Sequence, residues 1–187
     1  MREKTVSPDL YIPIERASAS RPIQRGVEFS IDDEKLRGEF IFPDVVRLSI
    51  SSRGVFNARS TGAVIQDDPE PVRFRFRETP DTFVLESDAL RVMIGRAPFS
   101  IEIIRSDGTP VMRSAPGRAY SRLNGMWSVS RMKTPNDRFL GFGEKTGPMN
   151  KNGRLLRFRN TDIMQVAPMD EALDPDFDPY YVSIPFH

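Results

Sequence analysis

The sequence predicts an all-β protein, an antiparallel two-sheet β-sandwich, on three observations. Apolar residues recur with period two rather than 3.6, the breaks between the runs are rich in Pro, Gly and Asp, and 16 Pro with 12 Gly leave long helices little room in 187 residues. Successive side chains of a strand point to opposite faces, so strict alternation marks a half-buried sheet. Burying many such strands together takes two packed sheets.

Residues 1–25 are polar and contain Pro8, Pro13 and Pro22, which reads as an extended N-terminal arm ahead of a sandwich over residues 26–187. Residues 32–36 offer about one turn of helix, and residues 170–173 another. Val46, Leu48 and Ile50 alternate with Arg47, Ser49 and Ser51. Val72, Phe74 and Phe76 alternate with Arg73, Arg75 and Arg77, and Phe99, Ile101 and Ile103 continue the pattern against Ser100 and Glu102. Between these runs lie Phe42-Pro43-Asp44, residues 67–71, Thr79-Pro80-Asp81, Asp107-Gly108 and Ala115-Pro116-Gly117. Asp-Gly between strand-like runs is a hairpin signal, because both residues tolerate positive φ. Residues 163–179 form a long irregular segment before a last short strand, and loops of that length are usually functional.

Composition narrows the function classes. With 39% hydrophobic residues and 13 Phe the chain can bury one sizeable core. Twenty-seven basic residues against 26 acidic give a net charge of +1, so nothing demands nucleic acid or an anionic membrane as partner. The absence of cysteine removes disulfides and thiolate metal sites. No apolar run approaches the roughly 20 residues that cross a bilayer, and the first residues lack the apolar centre of a signal peptide; a cytoplasmic protein is the expectation.

Several motifs fail on spacing. Gly141, Gly143 and Gly147 miss the dinucleotide fingerprint by one place, and the order Gly143-Glu144-Lys145-Thr146 breaks a phosphate loop. Asp174, Asp176 and Asp178 start like a calcium loop but meet Pro179 where glycine is needed, so neither metal nor cofactor is expected. The arginine stripes 73, 75, 77 and 154, 157, 159 read as wet strand faces. Trp127, the single tryptophan, alternates like a core strand residue, although an indole of this kind can also stack on sugars. The only histidine is His187, so a Ser-His-Asp device has no internal base. Glycoside cleavage needs two carboxylates about 5 to 10 Å apart, and Glu144 with Asp162 are one such pair in principle.

The most informative stretch is residues 138–162, RFLGFGEKTGPMNKNGRLLRFRNTD, with DPYYVSIPF following at residues 178–186. Its glycines suit a hairpin lying close against another surface, with Asn160, Thr161 and Asp162 delivered at the end of the returning strand. This passage resembles the N-terminal domain of glycoside hydrolase family 31, the α-glucosidase family, whose members show a similar GLGEKTG, a basic strand, NTD and then YxSIPF. The resemblance is specific over residues 139–186 and fainter upstream, at residues 90–104 and the Ser106-Asp107-Gly108-Thr109-Pro110 turn.

The resemblance implies a galactose-mutarotase-like supersandwich in front of a (β/α)8 barrel that carries both catalytic aspartates. It therefore implies no catalytic residue in this chain, which would be a fragment truncated before the barrel and inactive alone. Asp162 takes over the role of hydrogen-bonding sugar hydroxyls at the barrel mouth, a task suited to a carboxylate because charge-assisted bonds are strong. Tyr181 falls on the tyrosine of YxSIPF, beside the same mouth or packed as an interior aromatic. Glu144 contacts the barrel or forms an ion pair with Lys145 or Arg138. The implied partners are the barrel itself and an oligosaccharide or α-glycoside. The alternative is a free-standing carbohydrate-binding sandwich, and a sandwich isomerase stays weaker for want of an internal histidine.

Overall fold

Alternation along the chain becomes alternating burial. In the computed structural model the structure describes residues 7–56, 70–145, 147–156, 158 and 182–184. They fall into two units, residues 1–132 and 133–187.

The first unit contains twelve strands among its described residues: β1 (Ile12–Pro13), β2 (Ala17–Ile23), β3 (Gly26–Ile31), β4 (Glu34–Phe42), β5 (Val45–Ser51), β6 (Arg75–Glu78), β7 (Thr82–Glu86), β8 (Leu90–Arg96), β9 (Phe99–Arg105), β10 (Pro110–Arg113), β11 (Tyr120–Leu123) and β12 (Met126–Val129). They form a four-stranded sheet β2-β3-β4-β5, a five-stranded sheet β10-β9-β8-β7-β6 and a small sheet β1-β11-β12. Every pairing is antiparallel. The inner residues of both larger sheets share one core: Val27, Phe29, Ile31, Leu36 and Phe40 from one, Phe83, Leu85, Val92, Ile94 and Phe99 from the other. Phe29 on β3 lies 5.1 Å from Phe83 on β7 and 6.4 Å from Phe76 on β6, ring centre to ring centre, so aromatic contacts bind the two layers. The outcome is the antiparallel sandwich read from the sequence.

Outer faces carry the charges. Arg21, Glu28 and Arg37 stand in one row across β2, β3 and β4, with both arginines 3.0 Å from the Glu28 carboxylate. Arg77 and Arg91 converge in the same way on Glu86 at 3.2 and 2.6 Å. Arg75 and Arg77 thus lie on the exposed face of β6, Arg77 paired with Glu86, and Arg73 is exposed just ahead of that strand.

Three expectations need correction. Residues 32–36 form no helical turn: Asp32 and Asp33 make the tight β3–β4 turn, Asp32 has φ of 48°, and Glu34 already belongs to β4. The alternating apolar face of the following residues outweighs the short polar helix-start signal. The strand expected from Val72 begins only at Arg75, although Val72 and Phe74 still pack on the core. Trp127 is not a core residue; its side chain is 68% exposed on β12. Within the arm read over residues 1–25, Ile12–Pro13 and Ala17–Ile23 are strands, and Pro8–Leu10 is a 3-10 turn.

Candidate functional site

The second unit holds the Gly-rich passage. Asn150 closes its base: the Asn150 side-chain oxygen accepts the Phe139 N–H at 3.1 Å, and the Lys151 N–H donates to the Phe139 carbonyl at 2.8 Å. The described residues between these points, 140–145 and 147–149, belong to the excursion. Phe142, at its turn, has φ of 73°, a strained conformation for a bulky residue, and is held by burial to 7% exposure and by its ring lying 5.9 Å from that of Phe158.

Gly143 makes the close approach possible. It pairs with Ser183 in an antiparallel bridge, with Glu144 N–H donating to the Val182 carbonyl at 2.9 Å and Ile184 N–H to the Phe142 carbonyl at 3.1 Å. A Cβ at Gly143 would stand 2.4 Å from the Val182 oxygen. Side chains reinforce the seam. The Glu144 Oε2 accepts the Val182 N–H at 3.2 Å, and the Lys145 ammonium donates to Ser183 Oγ at 3.1 Å and sits 5.4 Å from the Phe158 ring centre.

Beneath the loop lies Lys151, only 6% exposed. Its ammonium donates to the carbonyls of Lys145 at 3.1 Å and Gly147 at 3.5 Å. A buried ammonium requires such dipoles around it, and here they come from the loop it supports. Lys151 thus ties residues 145 and 147 to the closed base at Phe139.

Of the residues singled out in the sequence, Glu144 is placed on this seam, with one carboxylate oxygen bonded to main chain. Lys145 turns to Ser183 and Phe158, and the Arg138 guanidinium donates to the carbonyls of Pro135 and Asp137 at 3.3 and 3.2 Å. Asp162 and Tyr181 lie outside the described residues, as do Asn160, Thr161, Arg157, Arg159, His187, the Asp174, Asp176, Asp178 series and the helical turn read at residues 170–173. The regular hairpin expected here is replaced, in the described residues, by turns and the single Gly143–Ser183 bridge. Left-handed backbone at Gly141, Phe142 and Gly143 cannot keep a strand's alternation. Sequence reasoning missed Lys151 and Ser183. A lysine between two asparagines gives no sign of burial, and Ser183 is recognised only through its partner Gly143. Among the described residues no cluster of three or more His, Cys, Asp or Glu is placed to hold a metal.

Comparisons with known proteins agree with this architecture. The model of the glycosyl hydrolase 31 N-terminal galactose mutarotase-like domain matches residues 35–187. The chain is 30% identical over 159 residues to Alpha-glucosidase 2 of Bacillus thermoamyloliquefaciens, a match covering 84% of this chain and 19% of that protein. Among solved structures it is similar to a Flavobacterium johnsoniae GH31 dextranase, with a TM-score of 0.75, 23% identity and coverage of 93% of this chain and 21% of the other. It is also similar to a Listeria monocytogenes cycloalternan-forming enzyme, with a TM-score of 0.62, 16% identity and coverage of 82% and 15%. The chain thus spans about a fifth of the length of the first two relatives. With a family model matched over most of its length, and the glycine-rich passage within that match, the chain belongs to glycoside hydrolase family 31 through its N-terminal galactose mutarotase-like domain.

Proposed function

We propose that this chain is the non-catalytic sandwich domain of a retaining α-glucosidase-like hydrolase, and that the segment carrying Asp162 supplies a sugar-binding carboxylate to the mouth of a (β/α)8 barrel elsewhere in the same protein. The observation that carries the reading is the construction of the described part of the passage. A loop tied at its base by Asn150, along its edge by the Gly143–Ser183 bridge and from below by Lys151 is prepared before any ligand arrives. Binding groups aimed by such a frame lose little conformational entropy on contact with a substrate. Glu144 serves this frame, and Tyr181 adds an aromatic wall.

Exposed apolar side chains in the same unit support the reading. Leu140, Met149, Leu155, Val182 and Ile184 are all at least 44% exposed, which suits a surface that meets another protein surface. The substrate class is an oligosaccharide or α-glycoside, in keeping with the α-glucosidase relative. No helix among the described residues is long and apolar enough to cross a membrane, and a cytoplasmic site of action belongs to the proposal.

The test is Asp162→Ala in the complete gene product, with turnover of an α-glucoside measured beside the unmodified protein. Loss of charge-assisted hydrogen bonds worth about 1.5–3 kcal/mol lowers kcat/KM by roughly 10- to 100-fold with unchanged circular dichroism. Unchanged kcat/KM in a folded variant, or hydrolysis by the 187-residue chain alone, refutes the reading.

A further inference from the structure

Trp127 is the only tryptophan in the chain, and it is 68% exposed on an edge strand. The register of the small sheet aligns Ile12, Arg122 and Trp127 across β1, β11 and β12. Residues directly opposite one another share a face, with Cβ atoms about 5 Å apart. The indole therefore stands beside Arg122, and Ile12, 64% exposed, stands on the arginine's other side.

Arg122 is fixed in place. One guanidinium nitrogen lies 2.6 Å from Asp33 Oδ1 and another donates to Glu34 Oε1 at 2.9 Å. Both acids come from the β3–β4 turn and the start of β4, and that turn is itself pinned: the Asp32 carboxylate accepts the Glu15 and Arg16 N–H groups at 2.9 and 3.1 Å. Glu34 is 4% exposed; among the described residues its second oxygen meets no donor at hydrogen-bond geometry, and the Tyr120 phenol lies beside its carboxylate. At the outer end Asp33, with its side chain 69% exposed, is an acceptor held in position. Two of the five N–H groups of a guanidinium suffice for these two contacts, which leaves donors at the rim.

We propose that Trp127, Arg122 and Asp33 form a platform for a neutral carbohydrate, with the indole stacked on the C–H face of a pyranose and the Arg122–Asp33 pair hydrogen-bonding adjacent hydroxyls. The composition of the row selects this ligand. Arg122 faces two carboxylates, so the local charge is negative and repels phosphate, sulfate or an acidic sugar. A purely apolar protein surface laid over the indole would desolvate an ion pair without replacing its lost water contacts. A pyranose offers apolar C–H groups on its faces and hydroxyls that donate and accept at its edge, which fits both halves of the row. The proposal stands independently of the Asp162 reading, since it rests on β1, β11, β12 and the β3–β4 turn alone.

The chain's single indole makes the test site-specific. The 187-residue chain is titrated with isomaltotriose and, separately, maltotriose, following tryptophan emission and the one indole N–H resonance. A saturable change with a millimolar midpoint is expected from at least one of them. In affinity electrophoresis through a dextran or amylose gel, Trp127→Ala abolishes retardation, Trp127→Phe keeps part of it, and Asp33→Asn weakens it several-fold at the exposed rim. Circular dichroism identifies any variant that has failed to fold, and Asp33→Asn keeps the test open if Trp127→Ala is one of them. An emission and resonance unmoved well above the millimolar range overturns the proposal. Retardation that survives Trp127→Ala does so too, as does an emission change that follows protein concentration instead of sugar, which marks a self-association face.

Discussion

At Gly143 the glycine is required twice, once by φ of 83° and once by the Val182 oxygen that a Cβ would meet at 2.4 Å. Gly143→Ala therefore has to move the seam as well as strain the backbone. The expected cost is about 1–3 kcal/mol, confined to the second unit. Hydrogen exchange reads it directly: the amides of Glu144 and Ile184, which donate across the bridge, exchange roughly tenfold faster for each 1.4 kcal/mol lost. Unchanged protection at both amides would show that the bridge does not depend on this approach. The glycine spacing could be read from the sequence, but the partner of Gly143 could not. Ser183 follows after 39 intervening residues, and nothing in a serine announces that its backbone receives a loop. Lys151 was hidden for the opposite reason, because lysine is ordinarily a surface residue and acceptors such as the carbonyls of Lys145 and Gly147, which make its burial tolerable, are brought to it by the fold.

Strands were legible wherever one face is buried. Phe99, Ile101 and Ile103 are buried along β9 as their alternation required, and Val46, Leu48 and Ile50 pack against the core from β5. The reading failed where local polarity imitated another signal, at Asp32-Asp33-Glu34, since an N-cap and a tight turn use the same residue types. It failed again at Trp127, because alternation says that two faces differ but leaves open which one meets the core. Close packing between strands was equally invisible. Gly26 on β3 comes so near its neighbour that a Cβ would lie 1.8 Å from the Gly38 carbonyl oxygen on β4, whereas a Cβ on Gly38 meets only side-chain atoms at 3.5 Å or more. The two glycines sit on adjacent strands, yet their substitution effects diverge. Gly26→Ala forces β3 and β4 apart in the middle of a sheet and costs more than about 3 kcal/mol, while Gly38→Ala stays within about 1 kcal/mol. Urea midpoints of the two variants decide the matter, and equal shifts would contradict the packing described.

Over the whole chain 27 basic residues stand against 26 acidic ones, which gives no reason to expect a charge-driven partner, and in the first unit the pairing behind that balance emerges only from register. Those pairs set the dependence of stability on pH. The Arg91 hydrogen bond lowers the carboxyl of Glu86, and the Arg122 hydrogen bond lowers that of Asp33. At Glu28 burial acts upward, but the hydrogen bonds and charges of Arg37 and Arg21 outweigh it and the net shift is down. A carboxyl lowered by folding contributes stability that is complete above its unfolded value, near pH 4, and is lost as pH falls through the folded value. Tyr120 sets the other limit. Burial, with the charge of Glu34 beside it, pushes its phenol from 10.0 up to about 12. A group raised by folding contributes fully below its unfolded value, so stability holds to about pH 10 and declines from there toward 12. The urea midpoint should therefore be flat from about pH 6 to 9 and fall on both sides. Glu86→Gln makes the acid decline shallower, and Tyr120→Phe does the same to the alkaline one. A midpoint that rises on acidification through pH 4, or an alkaline limb untouched by Tyr120→Phe, would mean that these pairs and this phenol do not govern the response, and that charges spread over the surface do.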